Sequence, residues 1–192
     1  GSVLLDGVNV KDYREEALHD KIGYVPQKAV LFRGTVQSNV AYGESAHGEA
    51  TMEDVKRAVA VAQGTDFVEK MEGAYEADIS QGGTNVSGGQ KQRISIARAV
   101  CRRPEVYIFD DSFSALDYRT DRELRTALKK ETGGVTSLIV AQRIGTIMDA
   151  DRIVVLDEGR VAGIGTHREL MQTCDVYREI AMSQLSEEEL AR

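Results

Sequence analysis

Two short stretches of this sequence carry groups suited to binding a phosphate and a metal ion. The first is Ser87-Gly88-Gly89-Gln90, which opens directly onto a basic, amphipathic segment predicted to be a helix. The first N–H groups of a helix lack partners and carry partial positive charge, so glycines that let an oxygen approach create an anion site. The alternative, in which Ser87 only caps a helix whose Ile94 and Ala97 face the core, is the commoner one for an isolated Ser-Gly-Gly.

The second stretch is the apolar run Val106-Tyr107-Ile108-Phe109, which ends in Asp110 and continues with Asp111 and the sequence SFSALD. Open α/β sheets bind ligands at the carboxyl ends of their strands, and a carboxylate there commonly holds the Mg²⁺ of a nucleotide. A role for the Asp as a cap of the next helix is equally compatible with this stretch alone. The presence of both stretches, with one short helix between them, favours a nucleotide site.

Short apolar runs that alternate with longer helical patterns predict the elements that position these groups: an α/β protein with a largely parallel sheet. The predicted strands are 3–5, 22–25, 106–109, 138–141, 153–156 and 161–164. The predicted helices are 16–20, 36–40, 52–62, 65–71, 90–102, 118–130 and 167–182. Asp157-Glu158-Gly159 predicts a hairpin turn between the last two strands, and Pro104 predicts the end of the basic helix.

Composition excludes several classes of function. With 192 residues and 42% hydrophobic content, the chain can bury a core but fits one domain comfortably. A net charge of −7 argues against a nucleic-acid surface. The two cysteines lack metal-type spacing and are expected to be core residues in a reduced compartment. No apolar run approaches the roughly 18 residues that cross a bilayer, and the final SEEELAR is expected to be a frayed acidic tail.

Four motifs, in one order along nearly the whole chain, resemble the nucleotide-binding domains of ATP-binding cassette (ABC) transporters of the exporter type. VSGGQKQRISIARAV resembles the family signature, and VYIFDDSFSALD resembles the Walker B strand with the D-loop. IGYVPQKAVLFRGTVQSNVAYG looks like the Q-loop region, and SLIVAQRIGTIMDADRIVVLDEGRVAGIGTHREL is similar to the switch region and closing strands.

The resemblance implies a P-loop NTPase-like ABC ATPase fold, α/β with a mostly parallel sheet and a helical subdomain that carries the signature. Within a partial domain of residues 1–192, the implied helical subdomain is approximately 34–103. The implied sheet core is 1–33 and 104–166, and the C-terminal helix and tail are 167–192.

The resemblance also implies where ATP and Mg²⁺ bind. In this family two such domains dimerise head to tail, and each ATP lies between the Walker B motif of one and the signature of the other. Ser87, Gly88, Gly89 and Gln90 are therefore expected to bind ATP held by a partner domain. Asp117, in the D-loop, is a further expected nucleotide-binding residue.

The chain's own site is expected to use four other residues. Asp110 and Gln27 occupy the positions of the Mg²⁺ ligands, and Gln27 also that of the residue that couples to the membrane domain. Asp111 stands where hydrolysing members carry the glutamate that polarises water. Gln142 stands where the family usually has a histidine that contacts the γ-phosphate.

Asp111 and Gln142 are departures that predict slow hydrolysis at this site. Aspartate is one methylene shorter than glutamate, and a misplacement near 1 Å can cost on the order of 10²-fold in rate. Glutamine can donate a hydrogen bond but cannot become cationic. Beside an intact signature, both changes fit the catalytically weak half of a heterodimeric multidrug or lipid exporter.

A third departure concerns the P-loop, G-x-x-x-x-G-K-[ST], which does not occur in this sequence; the nearest match, GESAHGEA, has Glu49 and Ala50 in the Lys and hydroxyl positions. We expect the chain to begin after this motif. The resemblance implies that the missing strand lies beside the Walker B strand. Its removal is expected to expose strand edges and apolar faces, so that the chain is less stable or recruits another chain.

The expected cofactors are ATP and Mg²⁺, and the expected partners are a second nucleotide-binding domain and the coupling helices of a membrane domain, at the cytoplasmic side of the cell membrane. Two alternatives stay open: a soluble ABC ATPase of DNA repair or translation, and a non-catalytic dimerisation module. The exporter-like LFRGTVQSNV and the acidic charge weigh against the first. No nucleic-acid partner is expected.

Overall fold

The structure, a computed structural model, describes residues 1–43 and 45–185. In this part of the chain the strands are β1 Leu4–Leu5, β2 Val8–Asn9, β3 Ile22–Val25, β4 Gly34–Thr35, β5 Asp78–Ile79, β6 Val106–Asp110, β7 Thr136–Val140, β8 Ile153–Asp157 and β9 Arg160–Gly165. The α-helices are α1 Glu15–Lys21, α2 Val36–Val40, α3 Met52–Val61, α4 Thr65–Val68, α5 Gly88–Cys101, α6 Tyr118–Glu131, α7 Ile144–Ile147, α8 His167–Thr173 and α9 Asp175–Gln184. None of the helices in the described ranges is both long enough and apolar enough to cross a membrane.

A three-stranded parallel sheet in the order β3-β6-β7 lies at the centre of the first of two compact units, Gly1–Val140. β6 occupies the middle position, and its alternate residues Tyr107 and Phe109 are buried, being 3% and 2% exposed, as is usual for a strand inside a parallel sheet. The other described sheets, β1-β2, β4-β5 and β8-β9, are antiparallel pairs. The predicted parallel sheet is therefore confirmed at the centre, within a mixed set of strands.

The expected position of the P-loop strand, beside the Walker B strand, is wrong. β6 is paired on one side with β3 and on the other with β7, so both of its edges are occupied. A further strand can join this sheet only at the outer edge of β3 or β7. The outer strand β7 does expose apolar side chains, as expected: Leu138 is 57% exposed and Val140 is 48% exposed.

The helices of the first unit pack around α5. Residues Ile94, Ile96 and Val100 of α5 are buried, and the buried face of α3 consists of Val55, Ala58 and Val59. The helices α2, α3 and α5 each begin with a side-chain capping box. Polar side chains there accept hydrogen bonds from the first backbone N–H groups, which have no helical carbonyl as a partner. α5 ends at Cys101, ahead of Pro104 as predicted.

The second unit begins at Ala141 and contains α7, the β8-β9 hairpin, α8 and α9. The predicted hairpin turn is confirmed, with Glu158 and Gly159 at φ 46° and 76°. The single helix predicted over 167–182 is instead two helices, because Cys174 has extended backbone angles of φ −125° and ψ 105°. The core of this unit is formed by Ile144, Ile153, Val155, Leu170, Cys174, Tyr177 and Ala181.

Both cysteines are buried and free, as predicted. The subdomain boundaries 34–103, 1–33 with 104–166, and 167–192 stay predictions. The predicted acidic tail, 186–192, lies outside the described residues.

Candidate functional site

Two successive carboxylates mark the carboxyl end of β6. Asp110 is the last residue of the strand and is half-buried, whereas Asp111 is 8% exposed. Asp111 has a left-handed backbone with φ 46°, a conformation in which Asp is enriched several-fold over most residues. Its N–H donates to the carbonyl of Val140 at 2.9 Å, and the next side chain, Ser112, donates to the carbonyl of Val25 at 2.8 Å. The neighbouring strands thus hold this sharp turn in place.

Gln27 lies beside these carboxylates, as predicted. The parallel register pairs Val25 of β3 with Phe109 of β6, so that the residues following the two strands meet at one edge of the sheet. The amide nitrogen of Gln27 donates to a carboxylate oxygen of Asp111 at 2.9 Å. The structure therefore brings Gln27 together with Asp110 and Asp111, although Gln27 and Asp111 are 84 positions apart in the sequence.

Tyr24 is a residue of this cluster that sequence reasoning missed. Its hydroxyl donates to a carboxylate oxygen of Asp110 at 3.1 Å, and this hydrogen bond raises the pKa of Tyr24. Tyr24 pairs with Ile108 in the register, and since alternate strand residues share a face, Tyr24 lies on the face of Asp110. The alternation in β6 could have found it only after the register of β3 against β6 was known.

The carboxylate cluster fits a hard cation that also binds phosphate. In the described ranges, no group of three or more His, Cys, Asp or Glu residues is placed to hold a metal ion alone. Mg²⁺ is usually bound through one or two carboxylates with phosphate oxygens and waters completing the shell. Asp110 has a carboxylate that could bind such an ion, and Gln27, whose amide nitrogen donates to Asp111, has an amide oxygen that could be a further ligand. These residues therefore fit a Mg²⁺ ion that accompanies a nucleotide.

The first turn of α5 combines a helix cap with two open glycines. The Ser87 hydroxyl accepts from the Gln90 amide at 3.3 Å, and the Gln90 side chain accepts from the Ser87 amide at 2.8 Å. Gly88 and Gly89 lie in the first turn, where no preceding helical carbonyl is available to their N–H groups. A Cβ on Gly88 would meet nothing within 4 Å, and one on Gly89 would lie 3.5 Å from the carbonyl oxygen of Ala115. Capping therefore leaves the glycine side of the turn open to an anion.

Asp117 caps α6. Its two carboxylate oxygens accept from the amide and the hydroxyl of Thr120, at 3.0 and 2.7 Å, and these hydrogen bonds lower the pKa of Asp117. The structure thus gives this side chain a helix-capping role. Its nucleotide-binding role stays a prediction.

Gln142 belongs to the second unit, where it is exposed and directly precedes Arg143 and α7. The side-chain amide of Gln184, near the end of α9, donates to the carbonyl of Gln142 at 2.9 Å and accepts from the amide of Ile144 at 2.9 Å. Gln184 therefore fixes the main chain on both sides of Arg143. No sequence signal identified Gln184, because its role depends on how α9 folds back onto this segment.

Comparison with known proteins agrees with this geometry. The profile of the family described as ABC transporter matches residues 1–114, which include Gln27, the capped turn of α5 and both carboxylates at the end of β6. The chain belongs to the ABC transporter family. It is a nucleotide-binding domain of that family, so the resemblance seen in the motifs is confirmed, as is the α/β ABC ATPase fold.

Relatives of this ABC domain are similar over almost its whole length. An uncharacterized ABC transporter ATP-binding protein of Mycobacterium tuberculosis (strain H37Rv) is 44% identical over 96% of the chain and 31% of the relative. An ATP-dependent lipid A-core flippase of Hahella chejuensis is 41% identical over 97% of the chain and 32% of the relative. A solved bacterial Atm1-family ABC exporter with ATP bound has a TM-score of 0.90 and 34% identity, over 97% of this chain and 32% of that one. The chain thus spans about a third of the length of these proteins.

Proposed function

We propose that this ABC domain is the ATP-binding motor of an exporter, in which ATP-driven association with a second nucleotide-binding domain is coupled to export of a substrate across a membrane. The observation that carries the proposal is the pair of half-sites in the first unit: a capped, open Gly-Gly turn on α5 and the Gln27, Asp110 and Asp111 cluster. The similarity to a lipid flippase and to an ATP-bound exporter supports the direction of transport.

The two half-sites serve different ATP molecules in this proposal. The amides of Gly88 and Gly89, with Ser87 and Gln90 holding the turn, bind the γ-phosphate of ATP on the partner domain. Backbone N–H groups at a helix start suit this role because they present unpaired donors and the positive end of the helix dipole.

Gln27, Asp110 and Asp111 serve the chain's own ATP. Asp110 and the oxygen of Gln27 hold Mg²⁺, which when bound neutralises phosphate charge, and Tyr24 orients the Asp110 carboxylate through its 3.1 Å hydrogen bond. Asp111 orients the attacking water. Gln142 donates a hydrogen bond to the γ-phosphate in place of the histidine that the family usually carries.

The chain's own site is the catalytically weak one in this proposal. Asp111 is short by one methylene, and one of its carboxylate oxygens already accepts a hydrogen bond from Gln27 at 2.9 Å. That oxygen is therefore less available to orient a water molecule. The partner domain then supplies the competent Walker B glutamate, and the assembly is a heterodimer at the cytoplasmic side of the membrane, docked on the coupling helices of its membrane domain.

Substitutions that add or remove a charge in each half-site can test which of the two sites hydrolyses ATP. In the purified exporter with its partner domain, we expect Gly88→Asp to abolish most Mg-ATP hydrolysis, because a carboxylate at the start of α5 repels phosphate. The same carboxylate interacts favourably with the dipole of α5, so the melting temperature should not fall. Asp111→Asn should leave most of the turnover in place, because the competent site lies elsewhere.

Two results would contradict the proposal. Full hydrolysis by the Gly88→Asp exporter would mean that the signature turn does not face a phosphate. Loss of all turnover in Asp111→Asn would mean that the chain's own site is the competent one, and the assignment of the weak site would be overturned.

A further inference from the structure

The signature helix α5 holds the main chain directly before Gln27. Gln92, in the second turn of α5, is 2% exposed, and its amide nitrogen donates to the carbonyl of Pro26 at 3.1 Å. Pro26 has a fixed φ and immediately precedes Gln27, so a displacement of its carbonyl changes the direction in which the Gln27 side chain leaves the main chain. Gln27 in turn donates to Asp111.

A second attachment holds the far end of the same segment. The guanidinium of Arg98 donates to the carbonyls of Val30 and Asn39, at 3.0 and 2.8 Å, and lies over the rings of Phe32 and Tyr42. Asn39 also forms two hydrogen bonds within this segment: its side chain accepts from the Phe32 amide at 2.9 Å and donates to the Phe32 carbonyl at 2.8 Å. Burial lowers the pKa of Arg98, which is half-buried among carbonyl oxygens and rings.

The two attachments are six residues apart on one helix, which is roughly 9 Å along its axis. The segment that runs from Pro26 to Asn39 is therefore fastened to α5 at both ends. Since the first turn of α5 carries the signature, these hydrogen bonds connect the signature helix to the main chain that leads into Gln27.

We infer that Gln92 is a positioning residue that transmits the state of this chain's own nucleotide site to the signature that serves the partner's site. This inference rests on the proposed function, in which Gln27 contacts the chain's own nucleotide and Gly88 and Gly89 contact the partner's. Gln92 touches neither nucleotide. It acts through Pro26 and Gln27, so the weak site regulates the competent one even where it turns over slowly.

A double-mutant cycle in the purified exporter with its partner tests the inference. Gln92→Met removes the donor to Pro26 with little change of volume, and Gln27→Ala removes the side chain through which Gln92 is inferred to act. Each single variant should lower kcat of the pair for Mg-ATP by about 5-fold or more, the lower range of allosteric coupling, with a smaller change in KM. The double variant should be no slower than the slower single variant, because residues that act in series are not additive.

A control and a second variant separate positioning from folding. Ile96→Val removes one methyl from another fully buried residue of α5. It should leave kcat unchanged even where its loss of melting temperature is comparable to that of Gln92→Met. If Gln92→Met does not fold, Gln92→Asn replaces it. Asparagine keeps the amide on a side chain that is one methylene shorter, so the amide no longer reaches Pro26. The cycle with Gln27→Ala should show the same non-additive losses of kcat.

The outcomes distinguish this inference from the proposed function. An unmodified pair without Mg-ATP hydrolysis would overturn the proposed function. Hydrolysis in the unmodified pair, together with additive losses in the cycle or with no loss in Gln92→Met, would overturn only the role of Gln92.

Discussion

Replacement of Gly88 by alanine separates the folding role of the α5 start from its ligand-binding role. Gly88 is exposed at the first position of α5, its backbone is not left-handed, and a Cβ built on it meets no atom within 4 Å. The folded chain therefore has room for the methyl group. A phosphate that approached the Gly88 amide would not have room for the methyl group, because the methyl stands beside the N–H that would donate to the phosphate.

The two effects have opposite signs and different sizes. Alanine reduces the freedom of the unfolded chain and has the better helix propensity, so the free energy of unfolding should stay constant or rise by up to about 1 kcal/mol. Loss of one preorganised backbone donor to a developing anion costs about 10²–10³ in kcat, which is roughly 3–4 kcal/mol. A stable but inactive variant is therefore expected.

The assay compares Mg-ATP hydrolysis and melting temperature of the exporter pair that carries Gly88→Ala in this chain. Gly133→Ala is the matched control, since Gly133 is also exposed without a left-handed backbone, and its Cβ would lie 3.8 Å from the nearest atoms, the carbonyl oxygens of Lys129 and Lys130. The control should keep both hydrolysis and melting temperature. Unchanged hydrolysis in Gly88→Ala, or a melting temperature that falls by many degrees, would refute the reasoning.

Three further predictions concern the core, the response to pH and the weak site. Leu124→Ala, in α6, should lower the free energy of unfolding by about 2–5 kcal/mol in urea titrations, because Leu124 is fully buried; a loss below 1 kcal/mol would contradict this packing. Burial raises the pKa of Tyr107 to about 12 from 10.0, so its stabilising contribution is complete below pH 10 and is lost as pH rises towards 12; alkaline unfolding should be less steep in Tyr107→Phe, and identical curves would count against it. Asp111→Glu combined with Gln142→His should raise hydrolysis at the chain's own site by up to about 10²-fold, measured in an exporter whose partner site is inactivated; no gain would mean that these two residues do not limit the rate.

The longer elements of the fold could be predicted because local pattern and burial agree in them. α5, α6 and the central strands β3, β6 and β7 lie within a few residues of their predicted bounds. The break between α8 and α9 could not be predicted, since Cys174 is neither a glycine nor a proline and is buried in the core of the second unit. The two-residue strands β4 and β5 were also missed, because so short a pairing has no periodicity of its own.

The site divides in the same way between local and non-local information. The cap of α5 by Ser87 and Gln90 is local, with the partners three residues apart, and it follows from the residue types. The bond from Gln27 to Asp111 needs the register of β3 against β6, and the order β3-β6-β7 decides where another strand can join. The resemblance grouped Gln27 with Asp110 and Asp111, which the structure brings together, but it placed the expected P-loop strand beside the wrong neighbour.

The capping and ligand-binding interpretations of Ser87-Gly88-Gly89-Gln90 are not competitors. The cap uses the Ser87 hydroxyl and the Gln90 side chain to satisfy each other's backbone amides. These bonds hold the turn without occupying the amides of the two glycines between them. Without the cap, the amides of Ser87 and Gln90 would have only water as an acceptor, and the turn would be less ordered before an anion arrives. The same side chains that account for the helix start therefore preorganise the two donors that a partner's phosphate would need.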